Sequence, residues 1–198
     1  MDEGVFHSMA GRPLADRRDS RDTRRRLIEG IGSYAATHDS PPGNLADVAR
    51  HAGVSTATAY RHFESLADLA NAHLARLPAR AVELFGRSRA PVDDPVARFE
   101  AWNRAWVTAS LEHAATTVPL RSAKGFLARL RDGDPLVTYV SDHVTPLLAA
   151  CDVPVDVGLA VWNVVSDPRE VADLRTTLRW SPRRIASHVT RITLACRG

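Results

Sequence analysis

The residues with most chemical meaning fall in one run, Leu45-Ala-Asp-Val-Ala-Arg-His-Ala-Gly-Val-Ser-Thr-Ala-Thr-Ala-Tyr-Arg-His-Phe63. It reads as a short helix, a glycine turn and a second, capped helix. Asn44 can cap the first, Leu45 to His51, with Asp47 placed for a capping box. Gly53 suits the left-handed position that ends such a helix, where a Cβ is penalised. Ser55 caps the second, Thr56 to Phe63. Ala49, Ala52 and Ala57 let the two helices cross closely. Val48, Val54 and Phe63 supply a small core that fixes the crossing angle. A helix-turn-helix needs this geometry: one helix braces across a DNA backbone while the other enters the major groove.

The elements around this run must hold it in place. A helix from about Ser20 to Thr37 carries Leu27, Ile31, Tyr34 and Ala35 on one stripe. Turn residues from His38 to Asn44 end it. Ser65-Leu-Ala-Asp68 is a capping box that opens a fourth helix, with Leu66, Leu69, Ala70, His73, Leu74 and Leu77 on its apolar stripe. Pro78 is expected to kink or end that helix, with the pattern resuming through Phe85. Asp94-Pro95, Asp134-Pro135, Asp167-Pro168 and Ser181-Pro182 each place a capping residue before a first-turn proline. Val155 to Val165 is almost wholly apolar. No strand alternation appears, so the expected fold is all-α with about nine or ten helices.

Charge is informative only locally. Residues 1–78 carry ten Arg against ten Asp or Glu, which cancel. Yet Arg12, Arg17, Arg18, Arg21, Arg24, Arg25 and Arg26 face only Asp16, Asp19 and Asp22. That makes a basic N-terminal arm running into the first helix. A solvated, salt-bridged helix start is the plainer reading of the same residues. Lys124 is the single lysine, which reads as codon bias. Cys151 and Cys196 are too few for a disulfide scaffold and lack metal-ligand spacing, so neither metal nor cofactor is expected. No apolar run approaches the roughly 18–20 residues of a membrane span. Met1 to Ala10 has no apolar signal region, and the expected location is cytoplasmic.

The stretch from the first helix to about Leu69 resembles the DNA-binding domain of the TetR family of transcriptional regulators. The resemblance rests on the Ala52-Gly53-Val54-Ser55 turn, the Tyr60-Arg61-His62-Phe63 ending and the Ser65 to Leu69 helix start. It implies a flexible arm at 1–19, a DNA-binding domain at 20–70 and a ligand-binding and dimerisation domain at 71–198. It implies a DNA-contacting set of Asn44, Ser55, Thr56, Ala57, Thr58, Tyr60, Arg61 and His62. Thr56, Ala57 and Thr58 would face the groove, while Asn44, Tyr60 and His62 would meet phosphates. Plain helix surface is the competing reading for the threonines, and packing is for Tyr60. One departure stands out. Many relatives carry a lysine on a phosphate where this chain has Leu66.

By the same resemblance, the C-terminal half holds an apolar ligand pocket. Its candidate lining is Trp102, Trp106, His113, Phe126, Tyr139 and His143, side chains with an apolar body and in most cases one polar tip. Ordinary core packing is the alternative for each. Arg121, Lys124 and Arg129 are expected to point away, leaving an uncharged, lipophilic or aromatic effector. The dimer candidates are the helices at 155–165 and 182–196, through Val157, Ala160, Val161, Val164, Ile185, Val189 and Ile192. Gly158 and Ala186 would allow close approach in a four-helix bundle. The implied function is a repressor on a palindromic operator, released by a small molecule. The alternatives are a helix-turn-helix regulator without a small-molecule response, or an activator. No nucleophile elbow, phosphate-binding glycine loop or zinc spacing suggests an enzyme.

Overall fold

A computed structural model describes residues 14–38, 40–120, 122 and 124–198. Among these residues the chain is all helical: α1 (Leu14–Thr37), α2 (Leu45–His51), α3 (Thr56–His62), α4 (Leu66–Leu74), α5 (Arg76–Gly86), α6 (Pro95–Thr117), a 3-10 turn (Val118–Leu120), α7 (Phe126–Arg131), α8 (Pro135–Ala150), α9 (Val155–Val165), α10 (Pro168–Thr176) and α11 (Pro182–Leu194). No single described helix is long and apolar enough to cross a membrane.

Most helix starts follow from capping chemistry. The side chains of Asn44, Ser55, Ser65, Asp94, Asp134, Asp167 and Ser181 each accept a bond from a first-turn backbone N–H. Each satisfies a donor that the helix itself leaves orphaned. Two boundaries differ from expectation. α1 begins at Leu14, ahead of Ser20, so Arg17 and Arg18 belong to a helix. Arg12 lies outside the described residues. The expected fourth helix divides at Ala75, three residues before Pro78. Pro78 sits in the first turn of α5, where a missing N–H costs little.

Two apolar clusters organise the chain. Leu27 and Ile31 of α1, Leu45, Val48 and Ala49 of α2, Ala59 of α3, Phe63 just after α3, and Leu69 of α4 form the first. The second is built around α6, whose Phe99, Trp102, Trp106 and Val107 meet Leu148 of α8, Trp162 of α9, Val171 of α10 and Ile185 and Val189 of α11. A buried polar node ties the second cluster together. Asn103 donates to Thr190 Oγ1 at 2.9 Å and accepts from Trp162 Nε1 at 2.8 Å. One amide on α6 thereby fixes α9 and α11, and burial makes each of these bonds costly to lose.

Candidate nucleic-acid interface and the cavity behind it

The helix-turn-helix is assembled from buried apolar residues and a clamp on its turn. Gly53 has φ +64°, a conformation that penalises any side chain. Arg26 of α1 reaches this turn and donates to the carbonyl oxygens of Ala52 and Gly53, each at 2.8 Å. Gly30 of α1 closes the other side, because a Cβ there would lie 2.8 Å from Ala52 Cβ. By its place in the sequence, Arg26 belongs with the charged N-terminal arm. A lone arginine one helix away from a turn gives no local signal of such a role.

This scaffold leaves one edge of α3 open. Ser55, Thr56, Ala57, Tyr60 and Arg61 are exposed, while Ala59 is fully buried. Tyr60 is 54% exposed, so packing does not occupy it. Thr58 and His62 are half-buried. Thr58 is also engaged locally: its Oγ1 lies 2.7 Å from Ser55 Oγ, and its N–H donates to the same Ser55 oxygen at 3.2 Å. Asn44 is exposed, with Oδ1 accepting from Asp47 N at 3.0 Å. Leu66 packs half-buried against the first apolar cluster. Leu66 thus contributes to a core, where the resemblance leads one to expect a cation.

His73 joins α4 to α1. It is 4% exposed, and its Nδ1 lies 2.7 Å from the carbonyl oxygen of Ile28. Gly32 makes room for the ring, since a Cβ there would collide with His73 Cε1. Burial holds the His73 pKa below the usual imidazole value, and the positive charge of Arg76 and the neighbouring His113 lower it further, against the opposing pull of the Ile28 carbonyl. The next residue, Leu74, lines a cavity in the second half of the chain.

That cavity has a volume of about 120 Å³ and lies among α4, α5, α6, α7, α8, α9 and the start of α10. Trp106, Trp162 and Phe126 give it aromatic walls, and Leu74, Leu77 and Val140 give it aliphatic ones. Both indole N–H groups are already used: Trp106 Nε1 donates to Ser166 O at 2.8 Å, and Trp162 Nε1 to Asn103. The six expected lining residues do not converge. Trp106 and Phe126 face the cavity, but Trp102, His113, Tyr139 and His143 are not in its wall. Trp102 is wholly buried, with its ring 5.8 Å from that of His143 and 6.1 Å from that of Trp106. Tyr139 is 39% exposed on the outer side of α8. Helical phase explains the split, because α6 presents Trp102 to the core centre and Trp106 one turn later to its rim.

Lys124 and Arg129 do line the cavity, contrary to the expectation that they point away. Their charges are matched locally. Arg129 pairs with Asp134 at 2.9 Å, and Lys124 pairs with Asp132. Arg121 lies outside the described residues. Trp162, Asn163 and Asp167 also border the cavity and were not anticipated, since the apolar α9 run reads equally well as a dimer face.

The expected dimer stripes divide too. On α9, Val157 and Val164 are exposed at 45% and 63%, with Ala160 and Val161 half-buried between them. On α11, Ile185, Ala186 and Val189 are fully buried against their own chain. Gly158 likewise serves an internal contact, because a Cβ there would meet Val153 and Leu148 of the same chain at 2.8 and 3.0 Å. Among these, only Ile192 is partly open on α11.

A TetR family transcription regulator from Marinobacter aquaeolei VT8 superposes with a TM-score of 0.59 at 14% identity, over 92% of this chain and 98% of that one. This is the TetR-regulator fold. The TetR-like transcriptional regulator LfrR from Mycobacterium smegmatis, in complex with proflavine, gives a TM-score of 0.57 at 18% identity, covering 90% of this chain and 96% of its own. A transcriptional regulator from Rhodococcus sp. RHA1 gives 0.54 at 17% identity, with coverage of 87% and 94%. No protein-family model matches the sequence. No curated protein matches it. The TetR fold therefore rests here on three-dimensional likeness and on the helix-turn-helix residues.

Proposed function

We propose that this chain is a cytoplasmic DNA-binding transcriptional regulator, not an enzyme, that acts as a homodimer on a palindromic operator. The observation that carries the reading is the open edge of α3. Thr56, Ala57, Tyr60 and Arg61 stand exposed on a helix whose opposite face, through Ala59, is sealed into a core. Thr56 offers a hydroxyl and a methyl to base edges, and Tyr60, Arg61, His62 and Asn44 offer polar groups to phosphates. Dimerisation through the α9 stripe, with Val157 and Val164 exposed and Ala160 and Val161 half-buried, would set two such edges about 34–36 Å apart, one turn of duplex. Selection of bound duplexes from a random pool tests this. The expected product is an inverted repeat with half-sites one turn apart, and recovery of unrelated sequences would refute it.

Repression relieved by a small molecule is the second layer of the proposal. The cavity supports it, because Leu74 in its wall adjoins His73 on the α1 joint. A ligand shifts such an equilibrium only by binding one arrangement more tightly, and a sharp switch needs about 3–5 kcal/mol of difference. The paired state of Lys124 and Arg129 favours an uncharged effector with aromatic or lipophilic character. One observation favours a regulator without such a response. At about 120 Å³ the cavity falls below the roughly 300–1,000 Å³ common for ligand sites. Repeating the selection with and without single-ring aromatic compounds separates the two.

A further inference from the structure

A second concavity lies between α1 and the α4–α5 junction, with a volume of about 410 Å³. Its wall is formed by Arg21, Arg24 and Arg25 of α1, Arg76 of α5, and Ile28, Glu29 and Ala72. Four guanidinium groups thus share one groove with a single carboxylate. Arg25 is partly neutralised, at 3.3 Å from Asp22 and 3.9 Å from Glu29. Arg24 is held over the Phe63 ring at 4.8 Å, which fixes its direction without cancelling its charge. Arg21 and Arg76 pair with no carboxylate among the described residues. Like charges gathered from two helices repel, and a shared anion removes that repulsion.

We propose that this groove binds a free, multiply charged phosphate compound, held between the α1 arginines and Arg76. Arginine forks match phosphate oxygens in two-point contacts, and such charge-assisted bonds are the strong ones. The groove is open, with all four arginines exposed, so its size does not restrict it to a single phosphate group. At its Arg76 end the groove lies away from Leu66, while Arg24 at its other end reaches Phe63. Arg76 lies ten residues beyond Leu66, past the break at Ala75 that ends α4. The phosphate contact implied by resemblance belongs at the Leu66 end. Arg76 also acts on its surroundings, since its charge is among the causes that hold His73 and His113 below their usual pKa. An anion beside it would relax that field.

The test uses sodium pyrophosphate as probe, with calorimetric titration of the full chain at fixed ionic strength. Saturable binding is expected, weakened about tenfold in Arg76→Gln by loss of one charge-assisted contact and unchanged in Arg104→Gln. Arg104 is an exposed α6 residue already paired with Glu100, and it controls for general loss of charge. The proposal is overturned if pyrophosphate binds no better than chloride of equal ionic strength, or if Arg76→Gln binds it as well as the parent. It is also overturned if pyrophosphate fails to bind while Arg76→Gln lowers the salt dependence of duplex affinity, which would assign the groove to DNA.

Discussion

Arg26 and Gly53 are joined by a hydrogen bond of 2.8 Å from guanidinium to carbonyl, although 27 residues separate them in the chain. A bond of equal length to Ala52 makes the contact a clamp on the turn between α2 and α3. Replacing Arg26 by Ala should cost about 1.5–3 kcal/mol of stability, the range for charged hydrogen bonds, with the exposed site favouring the lower end. Duplex affinity should fall as well, because the direction of α3 depends on that turn. Denaturant titration and duplex binding of Arg26→Ala check both. Unchanged midpoint and affinity would show that the clamp is dispensable.

The α3 cap separates structural from reading roles. Ser55→Ala should cost about 1 kcal/mol by losing the cap. Thr56→Ala should leave stability within about 0.5 kcal/mol, as for exposed surface changes. It should still cost about 1–3 kcal/mol on the preferred duplex if a base contact is lost. Thr58→Ala should resemble Ser55→Ala more than Thr56→Ala, because its hydroxyl is held by Ser55. Thermal unfolding alongside duplex titration distinguishes these patterns.

His73 makes the protein acid-sensitive. Its folded pKa lies below the ordinary 6.5. The unfolded chain therefore takes up a proton on acidification before the native state does. The stability this group contributes is complete above pH 6.5 and is lost as pH falls through the folded pKa. The pKa values of His113 and His188 are lowered as well, each chiefly by burial, and add in the same direction. Urea midpoints at pH 7.5 and 5.5 should differ more for the parent than for His73→Gln. Gly32→Ala should destabilise by about 1–3 kcal/mol at either pH, as overpacking does.

The helix-turn-helix was legible because its capping and turn residues act over three or four positions. Asn44, Ser55, Ser65 and Gly53 each announce a local geometry. The all-α class followed from the same signals, repeated at each Asp-Pro or Ser-Pro start. The site in the second half was less legible. Trp102 and Trp106 share one helix face by periodicity, yet only contact with α8 and α9 decides which borders a cavity. Ile185 and Val157 are equally apolar, and burial against α6 separates them. Arg26 and His73 act across long sequence separations, so their partners Gly53, Ile28 and Gly32 appear only in the folded chain.

The α9 stripe should respond to charge in a way that the α11 core does not. Val164→Glu should shift a homodimer to monomer with little loss of monomer fold, since Val164 is 63% exposed. Ile185→Glu should unfold the second half, since it buries an unpaired carboxylate. Sedimentation with circular dichroism checks both. A Val164→Glu protein with the parent's oligomeric state would remove α9 from the interface.

The cavity should accept single-ring aromatic compounds and exclude larger ones unless its walls move. An engineered pocket of about 150 Å³ holds benzene, which sets the scale. Trp106 and Trp162, 5.0 Å apart, should report entry by fluorescence quenching. Phenol-sized compounds should quench saturably, and Val140→Phe should abolish the effect. Saturable quenching by a three-ring dye at equal affinity would show a pocket that opens.

The proposed function requires that the exposed edge of α3 read DNA sequence. Its most direct test is the affinity of the purified chain for the selected duplex and for a scrambled duplex of equal length, at one salt concentration. The expected ratio is at least about 10³ in favour of the selected duplex, as for specific regulators. Thr56→Ala should lower that ratio about tenfold or more while leaving the scrambled affinity unchanged. Equal affinity for both duplexes, or a ratio indifferent to Thr56, would contradict the account.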